Sequence, residues 1–145
     1  MCGICGKFYY DQANRVSPEL LQQMMDLIAH RGPDGEGKYL SGPVALGHRR
    51  LAIIDLNRGA QPMCNEDETI WIVFNGEIYN FAELTEDLVA KGHRFSSNSD
   101  TEAIIHAYEE YGVDCLSRLQ GMFTFALWDA RRKSLSAGNG IGSKP

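Results

Sequence analysis

The sequence predicts an α+β fold in which helices pack on layered β-sheets. Strand-like segments come first, consecutive helices follow and a β-hairpin comes last, an order that is typical of layered sheets. The 145 residues suit a single domain of about 150 residues, which is long enough to bury a core. Hydrophobic residues make up 43% and charged residues 23% of the chain, and such values exclude a disordered polar chain or a coiled-coil rod.

The first part of the chain contains two predicted strands with a helix between them. Residues 3–10 alternate loosely between apolar and polar side chains, which predicts a strand. Ser17 and Pro18 are typical of a helix start, and apolar residues at helical spacing then predict a helix over residues 18–30. Residues 44–54 are strand-like and end in an apolar run.

The second half carries the strongest strand signal of the chain, two helices and a hairpin. Residues 69–74 are β-branched and aromatic, which predicts a strand. Asn80 is predicted to cap a helix over residues 81–91, and a further helix is predicted over residues 101–111. Residues 122–137 contain two strand-like runs around a polar turn, which predicts a β-hairpin.

Charge and hydropathy disfavour several classes of partner. Lys and Arg number 14 and Asp and Glu number 19, which gives a net charge of −5 with no basic stripe, so no nucleic acid partner is expected. No apolar run reaches the roughly 18 residues of a membrane span, so no membrane partner is expected. The N-terminus lacks the basic and apolar regions of a secretory signal, which predicts a cytoplasmic protein whose four cysteines are reduced.

Cys2 directly follows the initiator methionine and is a candidate nucleophile. Removal of Met1 would leave a thiol and a free α-amine on one residue. A thiolate is a strong nucleophile, and an α-amine can transfer protons near neutral pH. One terminal residue could thus supply both the nucleophile and the base. The alternative is that a cysteine at this position is incidental.

Cys2 and Cys5 together form a Cys-x-x-Cys pair, a spacing that also occurs in redox and metal sites. Structural zinc needs about four ligands, and Cys64 and Cys115 are isolated, so a second pair is missing. We therefore predict no metal, with Cys5 a small buried residue on a strand.

Asn75 and Gly76 follow the strongest strand signal and are candidate oxyanion ligands. A side-chain amide beside a glycine backbone N–H supplies two neutral donors, and glycine leaves room for the oxyanion. The alternative is a hairpin turn, because Asn-Gly is a common turn sequence.

Arg50 and Asp100 are candidates for holding a zwitterionic ligand. An arginine can bind an α-carboxylate through two hydrogen bonds, and an aspartate can accept hydrogen bonds from an α-ammonium group. The alternatives are a surface ion pair for Arg50 and a helix N-cap for Asp100.

Seven short segments, taken in order, resemble the class II (N-terminal nucleophile) glutamine amidotransferases. The resemblance is closest to the N-terminal glutaminase domain of glutamine-hydrolysing asparagine synthetases and covers residues 1 to about 137. The segments are Met1-Cys2-Gly3-Ile4, His30-Arg31-Gly32-Pro33-Asp34, Arg50-Leu51-Ala52-Ile53-Ile54-Asp55, Gly59-Ala60-Gln61-Pro62, Asn75-Gly76-Glu77-Ile78-Tyr79-Asn80, Ser99-Asp100-Thr101-Glu102 and Gln120-Gly121-Met122-Phe123.

The resemblance implies a four-layer α/β/β/α sandwich of mainly antiparallel sheets, and it implies roles for the candidate residues. Cys2 would attack the side-chain amide of glutamine, while Asn75 and Gly76 hold the oxyanion. Arg50 would bind the α-carboxylate of the substrate and Asp100 its α-ammonium group. The other substrate-binding residues that the resemblance implies are Ile53, Ile54 and Glu77. No cofactor is expected for this half-reaction, whereas ATP and Mg²⁺ would belong to a synthetase domain.

The chain departs from the family pattern at its end. Residues 138–145 carry Gly and Asn where the family has charged residues, so we expect a divergent, frayed tail there and an amidotransferase domain over residues 1–137 that is incomplete at its C-terminal end. No Ser-Gly-Gly-x-Asp-Ser loop for ATP occurs in the sequence. The altered residues 138–145 make a glutamine-binding but catalytically impaired fragment the alternative function. The oligomeric state is open, and a homodimer is one alternative.

Overall fold

Ten main helices and strands were assigned in the computed structural model, which describes residues 2–51 and 59–141. Short 3₁₀ helices at Ala29–Arg31 and Gly112–Arg118 add to them. In chain order the main elements are β1 (Gly3–Phe8), α1 (Pro18–Leu27), β2 (Gly35–Ser41), β3 (Val44–Arg50), β4 (Met63–Cys64), β5 (Ile70–Ile78), α2 (Phe81–Ala90), α3 (Asp100–Tyr111), β6 (Gly121–Asp129) and β7 (Ser134–Ile141).

The strands form two antiparallel sheets that face each other. The first sheet has the order β1-β3-β2 and the second has the order β4-β5-β6-β7. Helix α1 packs on the first sheet, through β1 and β3, and helix α3 packs on the second, through β4 and β5, with α2 beside it. The layers therefore run helix, sheet, sheet, helix, which confirms the predicted α+β sandwich.

Each interface between layers has its own apolar cluster. Leu21 and Met25 of α1 are fully buried against the first sheet. Val44, Leu46 and Val73 fill the space between the two sheets with Trp128. The largest cluster lies between the second sheet and the helices, and its fully buried side chains include Ile72, Leu88, Ile104, Ile105 and Leu127. Burial of apolar surface on this scale is the main term that stabilises the fold.

Several predicted boundaries differ from the structure. Helix α1 ends at Leu27 and a 3₁₀ turn follows it. Asn80 precedes α2, but its side chain does not cap the helix. Instead its amide donates to the Arg118 carbonyl at 2.9 Å and its oxygen accepts from the Gln120 N–H at 2.9 Å.

The prediction of a frayed end is wrong for residues 138–141, which extend β7 and pair with β6. Gly138 and Gly140 fit there because Phe125 and Phe123 occupy the space next to them. Residues 142–145 lie outside the described residues. No helix in the described part of the chain is both long and apolar enough to span a membrane.

Candidate active site

A cavity of about 440 Å³ lies where β1 begins and where β5 ends. The predicted nucleophile and both predicted oxyanion ligands line it. The lining residues are Cys2, Leu51, Asn75, Gly76, Glu77, Tyr79 and Met122.

Cys2 is placed in this cavity by the pairing of β1 with β3. Gly3 lies opposite Arg49 in the antiparallel register, so Cys2 lies beside the residues that follow β3. Its Sγ accepts a hydrogen bond from the Leu51 N–H at 3.4 Å. This bond holds the sulfur at the cavity wall.

Cys5, the other half of the Cys-x-x-Cys pair, is directed elsewhere. It packs against the cluster beneath α1, close to Met25 and Gly47. Burial raises the pKa of the Cys5 thiol, and the charge of Arg49 opposes this rise. All four cysteines are free. The two thiols therefore belong to different environments, which disfavours a shared metal or redox site.

Asn75 and Gly76 lie inside the nine-residue strand β5, so the alternative of a hairpin turn is wrong. They pair with Thr124 and Phe123 of β6. The backbone of Gly76 has φ +147°, which side chains rarely adopt. A β-carbon there would lie 2.5 Å from Phe123 Cα and would also collide with the Met122 carbonyl. Only glycine therefore fits at this point of the strand.

Asp100 is held against the end of β5, close to Glu77. Its Oδ2 accepts a hydrogen bond from the Ile78 N–H at 3.1 Å. Burial raises the pKa of Asp100, and the charge of Glu77 contributes to the rise, while backbone hydrogen bonds oppose it. Ser99, not Asp100, caps helix α3, because its side chain accepts from the Thr101 N–H at 3.2 Å. Asp100 is therefore the first residue of the helix, with its carboxylate directed at β5.

Arg50 lines a second cavity of about 180 Å³, apart from Cys2. Its neighbour Arg49 forms ion pairs at 2.8 Å with Asp26 and Glu36. Successive side chains on a strand point to opposite faces, so Arg50 faces the other way. The second cavity is lined by Asp34, Gly35, Glu36, His48, Arg50, Ala60 and Gln61. The predicted binding residues Ile53 and Ile54 lie outside the described residues.

Gln61 lines the Arg50 cavity and links β5 to α3 through its side chain, a role that the sequence analysis missed. Its Oε1 accepts from the Phe74 N–H at 2.6 Å and its Nε2 donates to Thr101 Oγ1 at 3.4 Å. These bonds join the residue before Asn75 to the residue after Asp100. The Gly-Ala-Gln-Pro segment signalled the position, but no residue pattern shows which backbone group a glutamine will bind.

Glu102 is a second residue whose role was missed. Its two carboxylate oxygens accept hydrogen bonds from the N–H groups of Ser96 and Ser97, both at 2.7 Å, and from their hydroxyl groups. Burial alone would raise the pKa of Glu102, but these hydrogen bonds hold it below its usual range. The carboxylate therefore fixes the turn that leads into Asp100.

His48 is buried beside the Arg50 cavity and is neutral near pH 7. Burial lowers its pKa to about 4, the charge of Arg50 lowers it further, and a hydrogen bond with the Phe74 backbone opposes the change. The side chain is 2% exposed, and its Nε2 has no hydrogen-bond partner among the described residues.

This buried histidine predicts a loss of stability in acid. Between pH 6.5 and about 4 the unfolded chain binds a proton that the folded chain does not, so the free energy of unfolding should fall by about 3 kcal/mol as the pH falls through that window. Urea unfolding at several pH values measures it. We expect His48→Gln to remove most of this dependence, and the exposed His30→Gln to retain it. Parallel curves for wild type and His48→Gln would contradict the assignment.

Comparison with known proteins identifies the family to which this chain belongs. The sequence matches the family described as the glutamine amidotransferase domain over residues 1–145. The chain belongs to this family. Over its whole length the domain is 45% identical to glutamine-hydrolyzing asparagine synthetase 1 of Bacillus subtilis (strain 168), of which it covers 23%. It is 44% identical to asparagine synthetase 1 of Arabidopsis thaliana over 92% of the chain and 23% of that protein.

Solved structures support the same fold. The glutamine phosphoribosylpyrophosphate amidotransferase of B. subtilis superposes with a TM-score of 0.72 at 20% identity, over 90% of this domain and 35% of that chain. The allosteric regulatory enzyme of purine biosynthesis superposes with a TM-score of 0.70, also at 20% identity, over 88% of this domain and 35% of that chain. The N-terminal nucleophile fold predicted for the domain is thereby confirmed. The domain spans about a quarter of the curated relatives it matches.

Proposed function

We propose that this domain hydrolyses the side-chain amide of glutamine to glutamate and ammonia, with Cys2 as the nucleophile. The observation that carries the proposal is the meeting of Cys2, Asn75 and Gly76 around one cavity. A thiol, a side-chain amide donor and a glycine in one concave site are the components needed for acyl transfer. Family membership supports the same chemistry.

The proposed mechanism has two steps. The Cys2 thiolate attacks the amide carbon, and the carbonyl oxygen becomes an oxyanion held by the Asn75 amide and the Gly76 N–H. The α-amine of Cys2, free once Met1 is removed, has accepted the thiol proton, and it delivers this proton to the nitrogen as the C–N bond breaks and ammonia leaves. Water attacks the resulting thioester, the C–S bond breaks, and glutamate is released as the thiol is restored.

Recognition of the amino-acid end of glutamine would rest on Asp100 and Arg50. The Asp100 carboxylate, held against β5, would accept hydrogen bonds from the α-ammonium group, with Glu77 nearby. Arg50 would bind the α-carboxylate from the neighbouring cavity. Ile53 and Ile54 stay predictions for the same pocket. No metal or other cofactor is required for this reaction.

In a longer protein, the ammonia would serve as a nitrogen donor. The relatives are named glutamine-hydrolyzing asparagine synthetases, which supports a role as the ammonia-supplying part of such an enzyme. A synthetase domain using ATP and Mg²⁺ would then be its partner, and a homodimer stays a prediction. A cytoplasmic location is part of the proposal, and the four free cysteines support it.

A coupled assay for ammonia and glutamate, combined with the intact mass of the protein, tests the proposal. We expect one glutamate per ammonia from glutamine, no release from asparagine, and a mass that lacks Met1. Glutamine binding by calorimetry without ammonia release would favour the impaired fragment instead. Activity in protein that retains Met1 would rule out the α-amine of Cys2 as the base.

Substituting Asp100 should weaken substrate binding more than catalysis. Asp100→Asn keeps an oxygen that can accept from the Ile78 N–H but removes the charge that faces the α-ammonium group. A hydrogen bond to a charged group contributes about 1.5–3 kcal/mol, so we expect KM for glutamine to rise about 10- to 100-fold while kcat changes much less. Steady-state kinetics measures both, with the exposed Asp114→Asn as the control. A fall in kcat at unchanged KM would contradict this role.

A further inference from the structure

A cluster of imidazole and carboxylate groups lies on the outer helical layer, away from Cys2. His93 follows α2, while His106 and Glu109 lie on consecutive turns of α3. One nitrogen of each histidine and one oxygen of Glu109 all lie within 4.8 Å of one another. The His106 side chain is 2% exposed, and those of His93 and Glu109 are 17% and 22% exposed. The cluster is thus largely buried yet reachable from solvent.

The three ligand atoms have spacings close to those of a tetrahedral metal site. His106 Nδ1 lies 2.7 Å and His93 Nδ1 lies 3.5 Å from the same Glu109 oxygen. Bonds of about 2.0–2.1 Å to a tetrahedral zinc ion place neighbouring ligand atoms about 3.3 Å apart. The two imidazole nitrogens lie at most 4.8 Å apart. They would therefore need to approach each other by about 1.5 Å at most to bind one zinc ion. His93 lies in the α2–α3 loop, where such a shift is small.

Carboxylate and amide groups already support these ligands from outside. The second ring nitrogen of His93 lies 2.9 Å from Glu110. The second oxygen of Glu109 accepts from Asn65 at 2.9 Å. Asn65 is itself buried and accepts from the Ile70 N–H at 2.9 Å. Histidines that bind metals usually donate their other N–H to a carboxylate, and such outer groups orient the ligands.

The far nitrogen of His106 supplies an independent argument. This buried Nε2 has no hydrogen-bond partner among the described residues. It lies 3.7 Å from Glu102 and 3.9 Å from Glu66. If Nδ1 carried the only ring proton, an Nε2 lone pair would face two carboxylates. A cation bound at Nδ1 would place the ring proton on Nε2 instead, where the carboxylates attract it.

We propose that His93, His106 and Glu109 bind a zinc ion, with a water molecule as the fourth ligand. Two imidazoles and one carboxylate are borderline ligands that suit Zn²⁺, whereas Mg²⁺ and Ca²⁺ prefer oxygen ligands throughout. A divalent ion would also offset the nearby negative charge of Glu66, Glu102 and Glu110. The ion would join α3 to the α2–α3 loop. Its ligand His106 lies next to Glu102, which holds the turn that leads into Asp100.

Titration of the 145-residue chain with ZnCl₂, followed by calorimetry and by thermal unfolding, tests the proposal. We expect one zinc ion per chain, a raised melting temperature and no binding of Mg²⁺. His93→Ala and Glu109→Gln should each weaken zinc binding at least about tenfold. Glu110→Gln, which changes the carboxylate that contacts the second ring nitrogen of His93, should have an effect of the same size. His106→Ala is avoided because that ring is buried in the core.

Matched variants separate this site from its competitors. Glu19→Gln changes an exposed carboxylate on α1, in the other helical layer, and His30→Ala removes an exposed histidine, so both should retain wild-type zinc affinity. With Co²⁺ as the probe, the spectrum should lack the near-ultraviolet absorption that thiolate ligands produce. Absence of zinc binding would overturn the proposal, as would an affinity unchanged by His93→Ala and Glu109→Gln, or a thiolate spectrum, which would indicate that a free cysteine binds the metal instead.

Discussion

Replacing Cys2 with alanine is expected to abolish ammonia release from glutamine. The substitution removes the only atom proposed to bond covalently to the substrate, and loss of a nucleophile typically lowers kcat by about 10⁴-fold or more. Glutamine binding should persist, because Asp100 and Arg50 are proposed to hold the other end of the substrate. The measurements are glutamate formation in a quenched assay and glutamine affinity by calorimetry.

Cys5→Ala provides the matched control for this experiment. Cys5 lies on the same strand three residues later, but it packs beneath α1, and burial raises the pKa of its thiol. We expect this variant to keep wild-type activity with at most a small loss of stability. If Cys2→Ala remained active, or if Cys5→Ala lost activity to the same extent, Cys2 could not be the sole nucleophile.

The second large effect is expected at Asn75. Asn75→Ala should lower kcat by about 10²–10³-fold, which corresponds to about 2.7–4 kcal/mol of transition-state stabilisation for one oxyanion donor. KM should change little, because the oxyanion exists only after attack. Parallel measurement of kcat and KM separates these two effects.

Asn139→Ala is the control for Asn75→Ala. Thr124 of β6 pairs with Asn75 on one side and with Asn139 on the other, so the two asparagines occupy one row across the sheet. Asn139 is exposed and away from the cavity. We expect its loss to leave kcat unchanged. Equal effects of the two substitutions would indicate a general disturbance of the sheet and contradict the proposed donor.

Elements with strong apolar patterns could be predicted from the sequence, and polar ones could not. The spacing of Leu21 and Met25 predicted α1, and the β-branched run from Ile70 predicted β5, because each buries one continuous apolar surface. Strand β2 has the sequence Gly-Glu-Gly-Lys-Tyr-Leu-Ser and no such pattern. It forms because β3 offers it a complete set of backbone partners.

The candidate site could be predicted where chemistry depends on residue type, and not where it depends on long-range hydrogen bonds. Cys2 and Asn75 are recognisable because few residues can serve as a nucleophile or an oxyanion donor. Gln61 and Glu102 act through backbone groups whose positions depend on the folded chain. The meeting of His93 with α3 likewise arises from tertiary packing, which no local spacing reveals.

The backbone at Gly76 has a consequence for how natural variation in related proteins should be interpreted. Any side chain there would collide with β6. Substituted chains would therefore fail to fold correctly, whether or not their other residues could still catalyse the reaction. Recurrence of glycine at this position would thus be evidence of close strand packing and no evidence of catalysis. Asn75 lines the cavity without carrying this backbone constraint. Homologues that have lost hydrolysis should therefore drift first at Asn75 and last at Gly76.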